Sequence, residues 1–311
     1  MSDPTQSGPV PGLPERVPAP PPRAGLHPLW LALSFAIFLY IGWVLIAGLF
    51  QPRDFYIGHR SNLQLLFCYL CLDAFALSLS LAYLCVLEGR SFRLMGLPFD
   101  RSGVIHAGAG FAWGAGVISL TALLLFATHA ARIFLFDSRD LARTPFWVAF
   151  FLLAAFFEEL SFRGYALVRA ADSLGPVAAC LASSILFGLA HSANPQATLL
   201  STFNTMLAGV LLAVARLRSR ALWMPVGLHF AWNFLLGPVF SFPVSGLIFN
   251  AAHISRSIAG PAWFSGGAYG PEGSVFLSGV VALATLLLLR SPLPASSLGA
   301  GSGVDYRGTR G

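Results

Sequence analysis

Residues 145–169 read PFWVAFFLLAAFFEELSFRGYALVR. Apolar residues run unbroken from Pro145 to Phe157, and the adjacent carboxylates Glu158 and Glu159 interrupt them. A helix needs about 20 mostly apolar residues to cross ~30 Å of hydrocarbon. An ionisable side chain at that depth costs about 3 kcal/mol, so one that is kept there needs a reason. The stretch reads as a membrane-spanning helix with chemistry inside it.

The rest of the chain agrees. Of 311 residues, 56% are hydrophobic and 10% charged, with a mean hydropathy of +0.71. A soluble domain carries about 25% charged residues to wet its surface. This excludes a soluble enzyme, a secreted disulfide scaffold and a disordered protein. Eight apolar spans are expected, at Pro28–Phe50, Leu63–Leu87, Val104–Ala131, Pro145–Arg169, Pro176–His191, Ala197–Ala215, Ala221–Leu236 and Ser274–Leu289. The fold class is all-α, a polytopic transmembrane helix bundle over residues 27–290. The Gly-, Ser- and Pro-rich stretch Gly237–Gly273 reads as a re-entrant or interfacial segment, which makes the count seven to nine.

Residues 1–26 are Pro-rich and read as a disordered tail, not a signal peptide; residues 291–311 read as a flexible Gly/Ser-rich tail. Cys68, Cys71 and Cys85 share one apolar span and Cys180 lies in another, so neither a disulfide framework nor a zinc knuckle is indicated. The formal net charge is +6, yet the arginines are scattered among short loops, which gives no nucleic-acid surface. With the N-terminus inside, 13 arginines fall on the inner side and 6 on the outer. The positive-inside rule then puts both termini in the cytoplasm, with Arg216, Arg218 and Arg220 in one turn as the strongest vote. The expected location is a cell (inner or plasma) membrane, multi-pass, in a chain of bacterial character, with lipid as a partner.

Within the spans, the costly residues are Asp73, Glu158, Glu159, His191 and His229, with Asn233 as a polar amide. Residues four apart share a helix face. That pairs Glu159 with Arg163, Phe187 with His191 and His229 with Asn233, and turns Glu158 by about 100° from Glu159. Arg163 can neutralise Glu159 and leave Glu158 to face another neighbour. Glu158 and His191 each lie about 16 residues from the turn at Ser173–Pro176, hence level at ~1.5 Å per residue. His229 lies ~13 Å above Arg220 by the same rise. One pocket opening toward the cytoplasm is expected to contain them all. Structural hydrogen bonding is the expected role of Asp73, with a proton path as its rival, and of His106, His129 and His253.

The ordered motifs Glu-Glu-x-x-x-Arg (Glu158, Glu159, Arg163), Phe-x-x-x-His (Phe187, His191) and His-x-x-x-Asn (His229, Asn233) resemble the CPBP family of intramembrane proteases, the CAAX prenyl protease 2 type or Abi proteins. The likeness covers about residues 146–236; Phe92–Leu97 and Gly266–Gly273 also look like bacterial members. It implies an endopeptidase in which Glu158 and His191 activate water while His229 and Asn233 stabilise the oxyanion, acting on a peptide or membrane-protein substrate. Glu159, Arg163 and Phe187 would support them. No metal is assigned, although Zn²⁺ is the rival reading: one Glu and two His match a known catalytic ligand set. The family is described both as metalloproteases and as metal-independent glutamate proteases, and no His-Glu-x-x-His is present. The alternatives from other classes are a proton-coupled transporter and a non-catalytic immunity-type membrane protein. The prenyl specificity is not carried over with the fold.

Overall fold

The structure is a computed structural model that describes residues 27–50, 62–136, 143–249 and 254–293. The N-terminal tail, most of the C-terminal tail, His253 and several arginines of the charge tally (Arg16, Arg23, Arg53, Arg60, Arg139, Arg307 and Arg310) lie outside the described residues. The described chain is an all-α bundle. Its helices are α1 (Pro28–Phe50), α2 (Asn62–Leu81), α3 (Arg101–Ala127), α4 (Thr144–Glu159), α5 (Tyr165–Leu174), α6 (Pro176–His191), α7 (Leu199–Ser219), α8 (Trp223–Phe234), the short α9 (Ala262–Ser265) and α10 (Val275–Arg290).

Among the described residues, five runs are long and apolar enough to cross a membrane: Pro28–Leu49, Leu63–Leu87, Arg101–Ala127, Thr144–Leu174 and Leu199–Ser219. Helices α6 and α10 are apolar but have 16 residues each, and α8 has 12. Large apolar side chains such as Ile37, Leu45, Phe67, Leu123 and Leu186 are exposed on the outer helix faces. Contiguous apolar surface of this kind suits lipid rather than water.

Local chemistry sets the helix ends. Asp100 caps α3 by accepting from the backbone N–H groups of Ser102 (2.8 Å) and Gly103 (3.3 Å). Thr198 and Ser201 form a reciprocal capping box at the start of α7. Pro176 opens α6, where its missing N–H costs nothing. The third span ends earlier than the apolar run suggests. Helix α3 stops at Ala127, His129 turns the backbone at φ 57°, and Ala131–Phe136 forms strand β1. This strand pairs antiparallel with β2 (Ile254–Ile258), Ala131 opposite Ile258 and Phe136 opposite Ile254. The expected re-entrant segment is therefore irregular chain with a strand, short helical turns and α9.

Two contacts position the helices of interest. Helix α8 lies against α3 with almost no side chain between them. A Cβ on Gly114 would come within 2.2 Å of the Leu228 carbonyl oxygen, and one on Gly227 within 2.1 Å of the Ala107 oxygen. Small residues give such backbone approach between helices in lipid. Helix α4 passes through a π-helical turn, Leu160–Gly164, into α5, and Gly164 leaves helical geometry at ψ −121°. Such wide turns recur at functional sites because they re-aim side chains.

Candidate active site

The π-turn follows the Glu158–Glu159 pair directly. Arg163 Nη1 lies 3.1 Å from Glu159 Oε1, and both side chains are fully buried. The same guanidinium donates to the Gly209 carbonyl (3.3 Å) and sits 4.1 Å above the Phe187 ring. Glu159 Oε1 also accepts from His229 Nδ1 at 2.7 Å. Glu159 thus ties α4 to α8 as well as to its own next turn.

Glu158 points the other way. Its Oε2 lies 3.6 Å from His191 Nε2 and 3.8 Å from His229 Nε2, and it has no hydrogen-bond partner among the described residues. Both imidazoles are held from behind, His191 by its Nδ1 on the Phe187 carbonyl (2.8 Å) and His229 by Glu159. Ring orientation in each case is fixed by what the far nitrogen touches. Phe187 supplies the remaining packing, with ring centroids 4.5 Å from His191 and 6.0 Å from His229. That explains a Phe four residues before the His: its ring fills the space between two imidazoles and a buried guanidinium.

Glu158, His191, His229 and Asn233 all line one cavity of about 270 Å³. Its other walls are mostly apolar, among them Leu65, Tyr69, Phe150, Phe157, Leu247 and Phe249. The four polar groups come from three separate helices, α4, α6 and α8.

The lining of the cavity extends to the chain between α6 and α7 and does not include the Arg216–Arg220 turn. Asn194, Ser245 and Leu247 line the cavity, and Asn194 precedes the start of α7 while Arg220 follows its end, 21 residues of helix away. Toward the Arg216–Arg220 turn the bundle is plugged by Phe35, Tyr83, Leu160, Tyr165, Leu222 and Val226, all buried. Counting residues along helices gives depth but does not reveal which end is packed shut.

Other expectations change too. Asp73 is buried, but neither carboxylate oxygen has a hydrogen-bond partner among the described residues, contrary to a structural hydrogen-bonding role. His106 is buried with Nδ1 on the Ser102 carbonyl at 2.7 Å, the structural role expected of it. The four cysteines are free thiols.

Residues with no role in the sequence analysis lie behind Ser245, which lines the cavity. Glu272 is buried and accepts from Trp232 Nε1 (2.9 Å), the Ser245 hydroxyl (3.3 Å) and the Ser245 backbone N–H. Burial pushes its carboxyl up from the ordinary glutamate range, against the pull of the Ser245 and Trp232 donors. Nearby, burial pushes the Tyr269 phenol up to about 12. Glu272 lies in the Gly-rich stretch Gly266–Gly273, which the sequence marks only by its likeness to bacterial members; without periodicity, no spacing rule singles out this residue.

Against known families, residues 140–235 match the model described as Type II CAAX prenyl endopeptidase Rce1-like. This segment is similar to an Rce1-like domain. It covers α4 to α8 and contains all three sequence motifs. The match supports a membrane peptidase of the CAAX-protease type, in keeping with the apolar helices around it. No curated protein and no solved structure matches the chain.

Proposed function

We propose that the chain is an intramembrane endopeptidase in which Glu158 and His191 activate water and His229 and Asn233 stabilise the oxyanion. One observation carries this reading: an unpartnered Glu158 oxygen facing two imidazole Nε2 atoms at the wall of a cavity. This reading puts the reacting water beside those three atoms. Glu158 takes its proton as the oxygen attacks the peptide carbonyl, and returns a proton to the leaving amine. His191 has Nδ1–H committed to a carbonyl, so Nε2 presents a lone pair that orients the same water. His229 has Nδ1 committed to Glu159, so donation from Nε2 to an oxyanion requires the imidazolium, with Glu159 as its counter-ion. Asn233, one turn further along α8, supplies a neutral amide N–H. Donors fixed in a water-poor site are worth several kcal/mol to such a transition state.

The mainly apolar walls suit an apolar peptide segment or a membrane protein as substrate. With both termini cytoplasmic, the wall at Asn194 and Ser245 lies away from the cytoplasm. Reporter fusions after Arg218 and after Ile254 should then report opposite sides. The activity is tested by comparing new N-termini in membranes from cells carrying the wild-type protein and Glu158→Gln. Termini that appear only with the wild type are expected; identical sets from both overturn the assignment.

A second reading has an observation behind it. Two imidazoles with both Nδ1 atoms tied back, one to a carboxylate, and both Nε2 atoms facing one carboxylate oxygen are oriented as metal-ligating histidines are. Zn²⁺ on Glu158, His191 and His229 would supply a Lewis acid and an acidified water. Among the described residues, however, no three His, Cys, Asp or Glu side chains are grouped so as to hold a metal ion as they stand.

A further inference from the structure

We propose that Glu272 is a positioning residue for peptide hydrolysis: its carboxylate fixes Ser245, and so the outer wall of the cavity, to Trp232 on the helix that carries His229 and Asn233. This rests on the endopeptidase reading above and adds to it a residue outside the three motifs and outside the matched segment 140–235.

The clamp is built from both sides. Glu272 Oε1 accepts from Trp232 Nε1 at 2.9 Å and from the Ser245 hydroxyl at 3.3 Å, while Oε2 accepts from the Ser245 backbone N–H. Trp232 is the residue before Asn233 and three beyond His229. On its other side, the Ser245 carbonyl accepts from Asn194 Nδ2 at 3.0 Å, and the Asn194 backbone N–H donates to the His191 carbonyl at 3.1 Å. The Ser245 turn therefore links the chain just after His191 with the helix of His229. The turn sits in a demanding conformation, Ser245 at φ 49° and Gly246 at φ 81°. A Cβ on Gly246 would fall 2.0 Å from the Pro195 carbonyl oxygen, so the contact is backbone to backbone. A non-glycine residue in left-handed geometry persists only where its surroundings impose it; here the imposing groups are Glu272 and Asn194.

Glu272 is itself held. Asn204 on α7 donates to the carbonyls of Glu272 (2.9 Å) and Ser274 (2.8 Å), and accepts from the Ser278 hydroxyl (2.6 Å). A chamber of about 20 Å³, enough for one water, lies between Glu272 and the site, lined also by His191, His229, Asn233, Asn204 and Ser245. The donors named for Glu272 are neutral, so its charge is not offset by an Arg. A buried carboxylate held this way is a costly means of fixing a turn. The cost is intelligible where the turn borders the reacting groups on two helices.

The test uses the full-length protein in liposomes and an internally quenched apolar peptide chosen because the wild type cleaves it and Glu158→Gln does not. Glu272→Gln keeps the shape but loses one acceptor. It should raise KM at least tenfold with kcat within threefold, and Ser245→Ala should move KM the same way by less. In a background with the four native cysteines replaced, maleimide labelling of Ser245→Cys should speed up at least fivefold when Glu272→Gln is added. Glu272→Asp, which keeps both acceptors on a shorter stem, should recover part of the KM. Unchanged KM and labelling in a folded Glu272→Gln protein would overturn the proposal, as would a fall in activity that only tracks the folded fraction. If no apolar peptide is cleaved by the wild type yet spared by Glu158→Gln, the endopeptidase reading itself fails, and the labelling arm still reports on the clamp.

Discussion

Two clusters of buried charge lie at different heights in the bundle, and they differ in what their carboxylates face. Near α5, Glu88 accepts from the Tyr165 hydroxyl and meets Arg90 (3.1 Å) and Arg169 (3.2 Å). Arg169 also pairs with Asp172 at 2.7 Å. Glu88 has an opposite charge within bonding distance on each side, and nothing is left over to react. At the other cluster, Glu159 holds two opposite charges, Arg163 and His229, both on Oε1, and its fully buried Oε2 has no hydrogen-bond partner among the described residues. Glu158 beside it has no such pair: its nearest imidazole nitrogens stand at 3.6 and 3.8 Å, and its side chain is 26% exposed, toward a cavity. Equal chemistry in the side chains thus serves fastening in one place and is held ready in the other. The distinction lies in what the unpaired oxygen faces: Glu159 Oε2 is sealed in the bundle, whereas Glu158 Oε2 faces two imidazole nitrogens on a residue that lines the cavity.

The most severe way to break that comparison is Glu158→Gln. Turnover should fall more than 10³-fold while thermal stability stays within about 0.5 kcal/mol, since no bond is lost. Substantial residual cleavage in a folded protein would make Glu158 another fastener. Next in size, Asn233→Ala should cost roughly 10²–10³-fold in kcat, as removal of one oxyanion donor does. Run after exhaustive chelation, the same assay separates the two readings of the site. Activity that survives chelation fits hydrolysis by Glu158 and its donors; activity that vanishes and returns with one equivalent of Zn²⁺ makes Glu158, His191 and His229 ligands.

The paired acids make the third comparison. Glu159→Gln strands the buried Arg163 and should lower stability by about 3 kcal/mol in detergent unfolding, whereas Glu88→Gln leaves Arg169 on Asp172 and should cost less. They should part in activity per folded molecule. Glu88→Gln leaves it unchanged, whereas Glu159→Gln lowers it because His229 loses its counter-ion. Equal activity in both would mean that Glu159 serves packing alone.

Helical spacing made part of this legible beforehand. Glu159 and Arg163 or His229 and Asn233 share a face because 3.6 residues per turn dictates it, and apolar runs announce the helices that hold them. Spacing within a helix says nothing of partners across helices. The Glu159–His229 bond and the convergence on Glu158 depend on α8 closing against α3 at Gly114 and Gly227. Glu272, Ser245 and the β1–β2 ribbon belong to segments with no period, where backbone turns rather than side-chain patterns set position. The end toward which the cavity extends was likewise hidden, because it depends on where Phe35, Tyr165 and Leu222 pack from distant parts of the chain.

Asp73 offers the smallest and most pointed test. It is buried in α2, its two oxygens lack partners among the described residues, and its neighbours Cys68, Tyr69 and Leu72 line the cavity. By pairing it resembles Glu158; by position it faces no imidazole that would make an unpaired oxygen useful. A buried polar group without a partner costs about 1–3 kcal/mol, and valine is close to aspartate in size. Asp73→Val should therefore leave cleavage unchanged and raise stability by about 1 kcal/mol in the same unfolding assay. A loss of activity with stability intact would make Asp73 a second working carboxylate, reached through the cavity wall. A loss of stability would mean that its oxygens are satisfied within the membrane. The first result would end the argument that an unpaired oxygen matters only where imidazoles face it; the second would remove Asp73 from the comparison.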